Sequence, residues 1–382
     1  MIHYCFPLGL CLLLTPALPL EQTSQVNFGD LDKVIQEELK STNTPGAAVA
    51  VISGERIILA KGFGVACVET GARVSPDMLF RLGSTTKMLT AATLVSLAQE
   101  GKLQLDQPIG NYVKGLSPKL ARVTAHQLLS HTAGIREETT WYGLHDDSAL
   151  ANKVRSMSDN FCTMEPGKTY AYSSPGYWLA GFLIEELGGK PFADQMSDRL
   201  FQPLGMKRTT LRPTLAMTYP LAQGHQAVGN DAPTVVRPAA DNAATWPAGS
   251  VYSSANDLAR FVIAFLNGGT IDGKEVLPPA VIAKMSTAHV AIPESKDSYG
   301  YGLRIREERG VRVLEHNGNR LGYGSLIRMV PEHRFAVIIL ANKTGATFRR
   351  TADKALELLL PSKENSACAG EHREKREQVR VR

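Results

Sequence analysis

Cysteine is scarce in this sequence: Cys5, Cys11, Cys67, Cys162 and Cys368 are the five in 382 residues. No two stand as C-x-x-C, and the first two fall within an apolar opening segment. Three widely spaced thiols then remain, which excludes a disulfide framework and a cysteine-based zinc site. One Cys67–Cys162 bridge stays open beside the reading of buried free thiols. Aromatic residues are also few, at 7%, and no basic stripe runs among them. The 42 basic against 37 acidic residues leave a net charge of +5, part of it in the last twenty positions. That pattern excludes a nucleic-acid binder. No heptad stretch occurs, and 43% apolar with 21% charged residues is a globular composition with ample material for a core.

Long hydrophobic runs are absent as well. In MIHYCFPLGLCLLLTPALPL the apolar core covers residues 6–14, too short for a stable membrane span and followed by small residues and proline. Residues 1–20 are therefore expected to be a signal peptide and the protein to be exported, periplasmic or secreted, although the segment opens without Lys or Arg. Leu10 before Cys11 excludes a lipidated cysteine. Residues 361–382 are charged, mixed in sign and poor in large apolar groups, so they are expected to form a disordered tail.

Between these ends, residues 47–52 form a compact β run, turned by Gly54-Glu55 into a second that continues towards Val65. Four more runs follow late in the chain, at 301–306, 311–314, 325–330 and 335–340. A lone hairpin is only marginally stable, so the early pair and the late group are expected to join one antiparallel sheet. The middle is helical and rich in loops. An apolar helix runs over 87–99, another opens at Ser174-Pro175 and closes at Gly188-Gly189, and Ser254 caps a third. The fold class is α/β (α+β): an antiparallel sheet from both chain ends, in parts near 26–110 and 250–360, flanked by helices. A mostly helical insertion spans about 111–249.

The common catalytic signatures are missing: G-x-S-x-G, H-E-x-x-H, the Walker loop and G-x-G-x-x-G. Gly62-Phe63-Gly64 lies inside a hairpin and reads as strand packing. His126 and His131, five apart, do not share a helical face and read as structural. No metal and no cofactor is expected. What is present is Ser84-Thr85-Thr86-Lys87, the one S-x-x-K in the chain, opening a long apolar helix. At the first turn i and i+3 share a face, which brings a hydroxyl and an amine together. Free backbone N–H groups at the helix start can hold a developing oxyanion. A serine needs a base, and a lysine serves only if desolvated, so a further titratable group is needed. The segment 165–177, with Tyr170 and Tyr172, holds candidates.

Residues 80–87 and 104–109 resemble the serine β-lactamase and penicillin-binding superfamily, in its class C-like branch. So do Leu128-Leu129-Ser130-His131-Thr132-Ala133-Gly134, Pro166-Gly167, the Tyr172 segment, residues 201–206 and residues 314–340. These motifs occur in the family's order over about 26–360, the extent expected for a single hydrolase domain.

The resemblance implies that Ser84 is the nucleophile and Lys87 its base partner. It places the family's Tyr-x-Asn on Tyr172-Ser173-Ser174, because Gly181 then lies nine residues after the tyrosine. Tyr170 is the rival, and Tyr252-Ser253-Ser254 is a decoy. Ser174 stands where the family has Asn, with a plain helix N-cap as its other reading. The family's Lys-Thr-Gly corresponds by position to His316-Asn317-Gly318, not to the literal Lys343-Thr344-Gly345. Backbone N–H groups of Ser84 and Asn319 are then the expected oxyanion hole, with Ser174, His316 and Gly318 at the substrate.

A histidine is a weaker permanent cation than lysine, so a terminal carboxylate loses its fixed counter-charge. The implied activity is acyl transfer to water from esters, small amides or peptides, with β-lactams secondary. A true β-lactamase or D-Ala-D-Ala carboxypeptidase and a non-catalytic binder of the same fold remain as alternatives. The partner is a small-molecule or peptide substrate, and specificity is assigned to the loops at 135–159 and 211–249.

Overall fold

A computed structural model describes residues 27–229 and 231–360. The expected leader at 1–20 and tail at 361–382 lie outside the described residues. Helix α1 (Gly29–Ser41) buries Leu31 and Ile35, one turn apart, and leads into strand β1 (Gly46–Ser53). Gly54, at φ +61, turns β1 into β2 (Arg56–Gly64). The left-handed region is inexpensive for glycine alone.

The early and late strands do form one sheet. Its remaining strands are β3 (Val290–Ala291), β4 (Ser298–Tyr299), β5 (Arg304–Glu308), β6 (Val311–Arg320), β7 (Tyr323–Val330) and β8 (Phe335–Ala341). The spatial order is β2-β1-β8-β7-β6-β5-β4-β3, with every neighbour antiparallel. β1 pairs with β8 from Ala47 against Ala341 to Ser53 against Phe335. The strands β3 and β4 were not anticipated, because two residues apiece carry no alternation to read. β6 extends six residues past the run expected at 311–314, and the polar letters His316 to Arg320 hide that extension.

β1 is apolar on both faces because both are covered. Ala48, Ala50 and Ile52 face the larger core, with helices α2 (Thr86–Gln99), α3 (Ser174–Gly188) and α4 (Ala255–Leu266). Ala47, Val49 and Val51 face α1 and the last helix, α5 (Arg349–Leu359). Two helices from opposite chain ends are joined there by one carboxylate. Glu38 of α1 accepts hydrogen bonds from the Arg350 N–H at 3.1 Å, the Thr351 N–H at 2.7 Å and the Thr351 hydroxyl at 2.6 Å. It supplies the N-terminal cap that α5 lacks in its own sequence, and it sits where the helix dipole favours a negative charge.

One reading of local structure is corrected, and the expectation of buried free thiols holds except for the burial of Cys162. The N-cap of α3 is Ser173, whose Oγ accepts from the Gly176 N–H at 3.1 Å; Ser174 is already the first helical residue. Capping needs an extended residue one step earlier, so Ser174 is left free to point elsewhere. Cys67 and Cys162 are both free, and Cys162 is only half-buried. Ser254 caps α4 through the Asp257 N–H at 3.1 Å, as its sequence indicates. No described helix is long and apolar enough to cross a membrane.

Candidate active site

Ser84 occupies a single 3-10 turn, Gly83–Thr85, that runs straight into α2. This turn is pressed against β6. Gly83 has φ +56, and a Cβ on it would sit 2.7 Å from the backbone nitrogen of Asn319. A Cβ on Gly318 would sit 1.9 Å from the Leu82 carbonyl oxygen. From β7, the Ser325 hydroxyl bonds both Leu82 O and Thr85 Oγ1 at 2.6 Å. Strand β6 and the serine turn thus touch backbone to backbone, with Gly83 against Asn319 and Leu82 against Gly318.

At the second position of α2, Lys87 is fully buried. Its Nζ lies 3.3 Å from Ser84 Oγ, 3.4 Å from Ser174 Oγ and 2.9 Å from the Ala248 carbonyl oxygen. Gly181 of α3 explains the last contact. A Cβ on Gly181 would overlap the Pro247 ring at 2.1 Å, so the bare glycine admits Pro247 and delivers the next carbonyl to the lysine. Thr90 Oγ1 donates to Pro247 O at 2.8 Å and fixes the same segment from α2.

Burial pulls the Lys87 amine down to about 7, and the nearby Glu137 carboxylate opposes that shift. A large fraction of the lysine is then neutral near neutral pH, with a lone pair for the serine proton.

Tyr172 lines the cleft, and Lys87 Nζ lies 4.8 Å from its ring centre. Burial pushes its phenol well up, and the neighbouring Ser84 works against the rise. Tyr170 stands one layer back, with its ring against those of His131 and Tyr299. It is not part of the cleft wall.

Of the residues assigned to catalysis and substrate, Ser84, Tyr172, Ser174 and Asn319 line the cleft, whose volume is about 230 Å³. His316 does not, because its imidazole is buried within the wall. His316 Nδ1 lies 2.7 Å from the Asn317 carbonyl, which can only accept, so Nδ1 carries the proton. Nε2 then accepts from the Tyr299 hydroxyl at 3.0 Å. Burial first, and Lys87 second, hold His316 down at about 3, so it is neutral. Gly318 sits beneath the serine turn and offers its lack of a side chain.

The decoys are structural in placement. Tyr252 packs on Arg81, whose guanidinium lies 4.6 Å from the ring centre. Lys343 Nζ donates to the Thr42 carbonyl, and Thr344 Oγ1 accepts from the Gly322 N–H at 2.7 Å. Neither Lys343 nor Thr344 lines the cleft.

Several residues at the site gave no signal in the sequence. Glu137 Oε2 accepts from the Ser174 N–H at 2.5 Å, at the start of α3. Ala248 contributes a carbonyl, which no side-chain pattern can reveal. His131, read as structural, is buried with its ring 4.3 Å from that of Tyr172 and 4.8 Å from that of Tyr299. Its Nδ1 accepts from the Ser173 N–H at 3.1 Å and thereby sets the start of α3. Burial, Lys87 and His316 hold it well below the ordinary range, hence neutral. Trp141 and Arg320 also line the cleft.

Penicillin-binding protein 4 of Amycolatopsis lactamdurans is 32% identical over 317 residues, covering 80% of this chain and 82% of that protein. An unguisins hydrolase of Aspergillus violaceofuscus is 29% identical over 348 residues, covering 83% of this chain; the match spans 61% of the length of that relative. The solved octameric penicillin-binding protein homologue of Pyrococcus abyssi superposes with a TM-score of 0.76 at 27% identity, over 87% of this chain and 77% of that one. The family profile described as Beta-lactamase matches residues 31–361, nearly the whole described chain, and the chain belongs to that beta-lactamase family.

Proposed function

We propose that the protein is a serine hydrolase that works through an acyl-enzyme. Ser84 Oγ attacks the substrate carbonyl carbon while its proton passes to the Lys87–Tyr172 pair. The backbone N–H groups of Ser84 and Asn319 hold the oxyanion. The bond to the leaving group then breaks, and the same pair protonates the departing oxygen or nitrogen. Water attacks the acyl-enzyme, giving up a proton to the pair, and the acid leaves as Ser84 is reprotonated. The observation that carries this reading is a buried lysine pulled to about 7 and set 3.3 Å from a serine hydroxyl at a helix start.

Esters, small amides and peptides are the substrates this reading favours. A neutral, walled-in His316 offers no fixed charge where the family's lysine stands, so β-lactams rank second. The relatives named as a hydrolase and as a penicillin-binding protein support acyl transfer in general. Export through a leader at 1–20 belongs to the same proposal and rests on the short apolar opening alone; N-terminal sequencing of the protein released by an expressing cell tests it.

Wild type and Ser84→Ala, compared on a p-nitrophenyl ester and with a fluorophosphonate followed by intact mass, test the activity. The expected result is turnover and a covalent adduct in wild type, with both lost in a variant that melts normally. Undiminished turnover by Ser84→Ala removes the assignment, and the absence of turnover and adduct in wild type makes the protein a binder.

A further inference from the structure

His316, Gly318 and Arg320 alternate along β6 and therefore share a face of the strand. The first holds no charge, whereas the last carries a guanidinium 2% exposed that lines the cleft. Arg320 is not alone there. Arg81, 3% exposed, lies beside it, and both are served by the segment around residue 241.

The single carboxylate in this group is committed elsewhere. Asp241 Oδ1 pairs with Arg81 Nη2 at 2.6 Å and accepts from the Trp246 indole at 3.4 Å, and Oδ2 meets His145 Nδ1 at 2.8 Å. From Arg320 the nearest Asp241 oxygen is 3.9 Å away, beyond hydrogen-bond reach. Among the described residues Arg320 donates hydrogen bonds to two backbone carbonyls and to no carboxylate, Gly249 O at 3.3 Å and Ala240 O at 3.2 Å. Its Nε has no partner among the described residues.

Two buried guanidiniums and one buried carboxylate leave a net positive charge on this wall of the cleft, whereas the carboxylates that line the same cleft are engaged elsewhere, Glu137 by the Ser174 N–H and Glu138 by Lys153. Burial and the neighbouring Arg81 pull Arg320 down to about 9, so it remains a cation at neutral pH. A buried charge without its counter-charge is costly, and a ligand that supplies the counter-charge recovers that cost on binding.

The subsite is close to the chemistry. Arg320 follows Asn319 directly, and it bonds the carbonyl of Gly249, where a Cβ would lie 3.5 Å from the Gly83 carbonyl carbon. Trp141 also lines the cleft, with the Arg320 guanidinium carbon 5.7 Å from its ring centre. Resting on the acyl-enzyme reading above, we propose that Arg320 is a specificity-determining residue that binds a single substrate carboxylate a few atoms from the scissile carbonyl. The preferred substrates are therefore monoanionic esters or amides, with the carboxylate on either the acyl or the leaving side. The fixed cation absent at position 316 is replaced four residues further along the same strand face.

Two substrate pairs of matched size test this. Mono-p-nitrophenyl glutarate against p-nitrophenyl pentanoate reads an acyl-side carboxylate. 3-Carboxyphenyl butyrate against phenyl butyrate reads a leaving-side one. The expected result is a kcat/KM ratio of about 10 to 100 in favour of the anion in one pair, the gain typical of a charge-assisted hydrogen bond. Arg320→Gln should collapse that ratio towards one, and Arg320→Lys should keep part of it. The glutamine variant leaves Arg81 and Asp241 as a balanced pair, so it is expected to fold, as a melting curve will show. Ratios near one in both pairs, or a ratio untouched by Arg320→Gln, overturn the proposal.

If Arg320→Gln does not fold, titration of Ser84→Ala with glutarate, followed by tryptophan fluorescence, decides instead. Saturable quenching relieved by salt supports the subsite, and no response removes it. If no ester is turned over at all, the hydrolase reading fails by itself, and the same glutarate titration on wild type judges the subsite separately.

Discussion

Gly318 lies so close to the Leu82 carbonyl oxygen that a Cβ on it would approach within 1.9 Å. The contact joins the middle of the sheet to the residue two places before Ser84, so the serine turn takes its position from a strand more than 230 residues away in sequence. Gly318→Ala must push the two backbones apart. It should cost about 1–3 kcal/mol, the usual penalty of overpacking, and lower kcat/KM on a p-nitrophenyl ester about 100-fold, since a displacement near 1 Å at the reacting groups has that effect. A melting curve and a progress curve on the same preparation check both.

Activity should follow the neutral form of Lys87. Its pKa is held at about 7, and the base must be unprotonated to accept the serine proton. kcat/KM is therefore expected to rise as pH increases through about 7 and then to level off. Glu137→Gln removes the carboxylate that holds the amine up, so the rise should move to lower pH. A profile from pH 5 to 9 on a neutral ester, in wild type and variant, checks the direction.

The same burial makes Lys87 a stability cost with a definite pH dependence. The folded pKa is depressed to about 7 from 10.5, so the unfolded chain holds more protons between those values and stability rises with pH across that window. Below about 7 the whole penalty is present. Lys87→Met should be inactive and yet more stable than wild type at pH 6, by roughly 1–3 kcal/mol after the Ala248 carbonyl loses its donor. The difference should shrink as pH rises towards 10. Chemical denaturation at pH 6 and 9 reads it, and a constant difference would place the cost somewhere other than the charge.

Tyr172 and Tyr170 are separated by their positions. Tyr172→Phe removes the phenol hydroxyl of a ring that lines the cleft beside Lys87 and should lower kcat by about 100-fold or more, in the range of a lost acid–base group. Tyr170→Phe, one layer behind the cleft, should lower it less than about tenfold. Equal losses would show that the two hydroxyls act as one unit.

Adjacent serines at the start of α3 have different tasks. Ser173→Ala removes the cap on the Gly176 N–H and should destabilise the protein by about 1 kcal/mol. Ser174→Ala leaves the cap in place and removes a hydroxyl 3.4 Å from Lys87, so its effect should appear in kcat/KM. Melting and kinetics on the two variants separate them.

The fold was readable wherever a segment carried a period or punctuation. The hairpin around Gly54, the cap at Ser254 and the joining of early and late strands all follow from local chemistry with a marginal-stability argument. Ser84, Lys87 and Tyr172 were reached through spacing and resemblance, and the structure brings those three side chains together. The rest of the cleft depends on contacts that leave no mark in the chain. The Ala248 carbonyl is placed by the absence of a side chain at Gly181. Glu137 arrives from a loop without period, and the importance of Arg320 comes from Arg81 and Asp241, both remote in sequence. Ser173 was missed because a serine pair before proline offers two possible caps, and only the backbone angle distinguishes them.

The pairing of β1 with β8 makes the sheet wait for its last strand. The Gly46 N–H reaches the Asn342 side chain at 2.8 Å across 296 residues. A ribosome adding about 5–20 residues per second needs on the order of 15–60 s to cover that stretch. Throughout that time the β1–β2 hairpin presents an apolar open edge, the kind of surface that recruits other strands. A chain ending before residue 335 lacks the strand that covers this edge and is expected to be a sticky fragment in place of a smaller working enzyme.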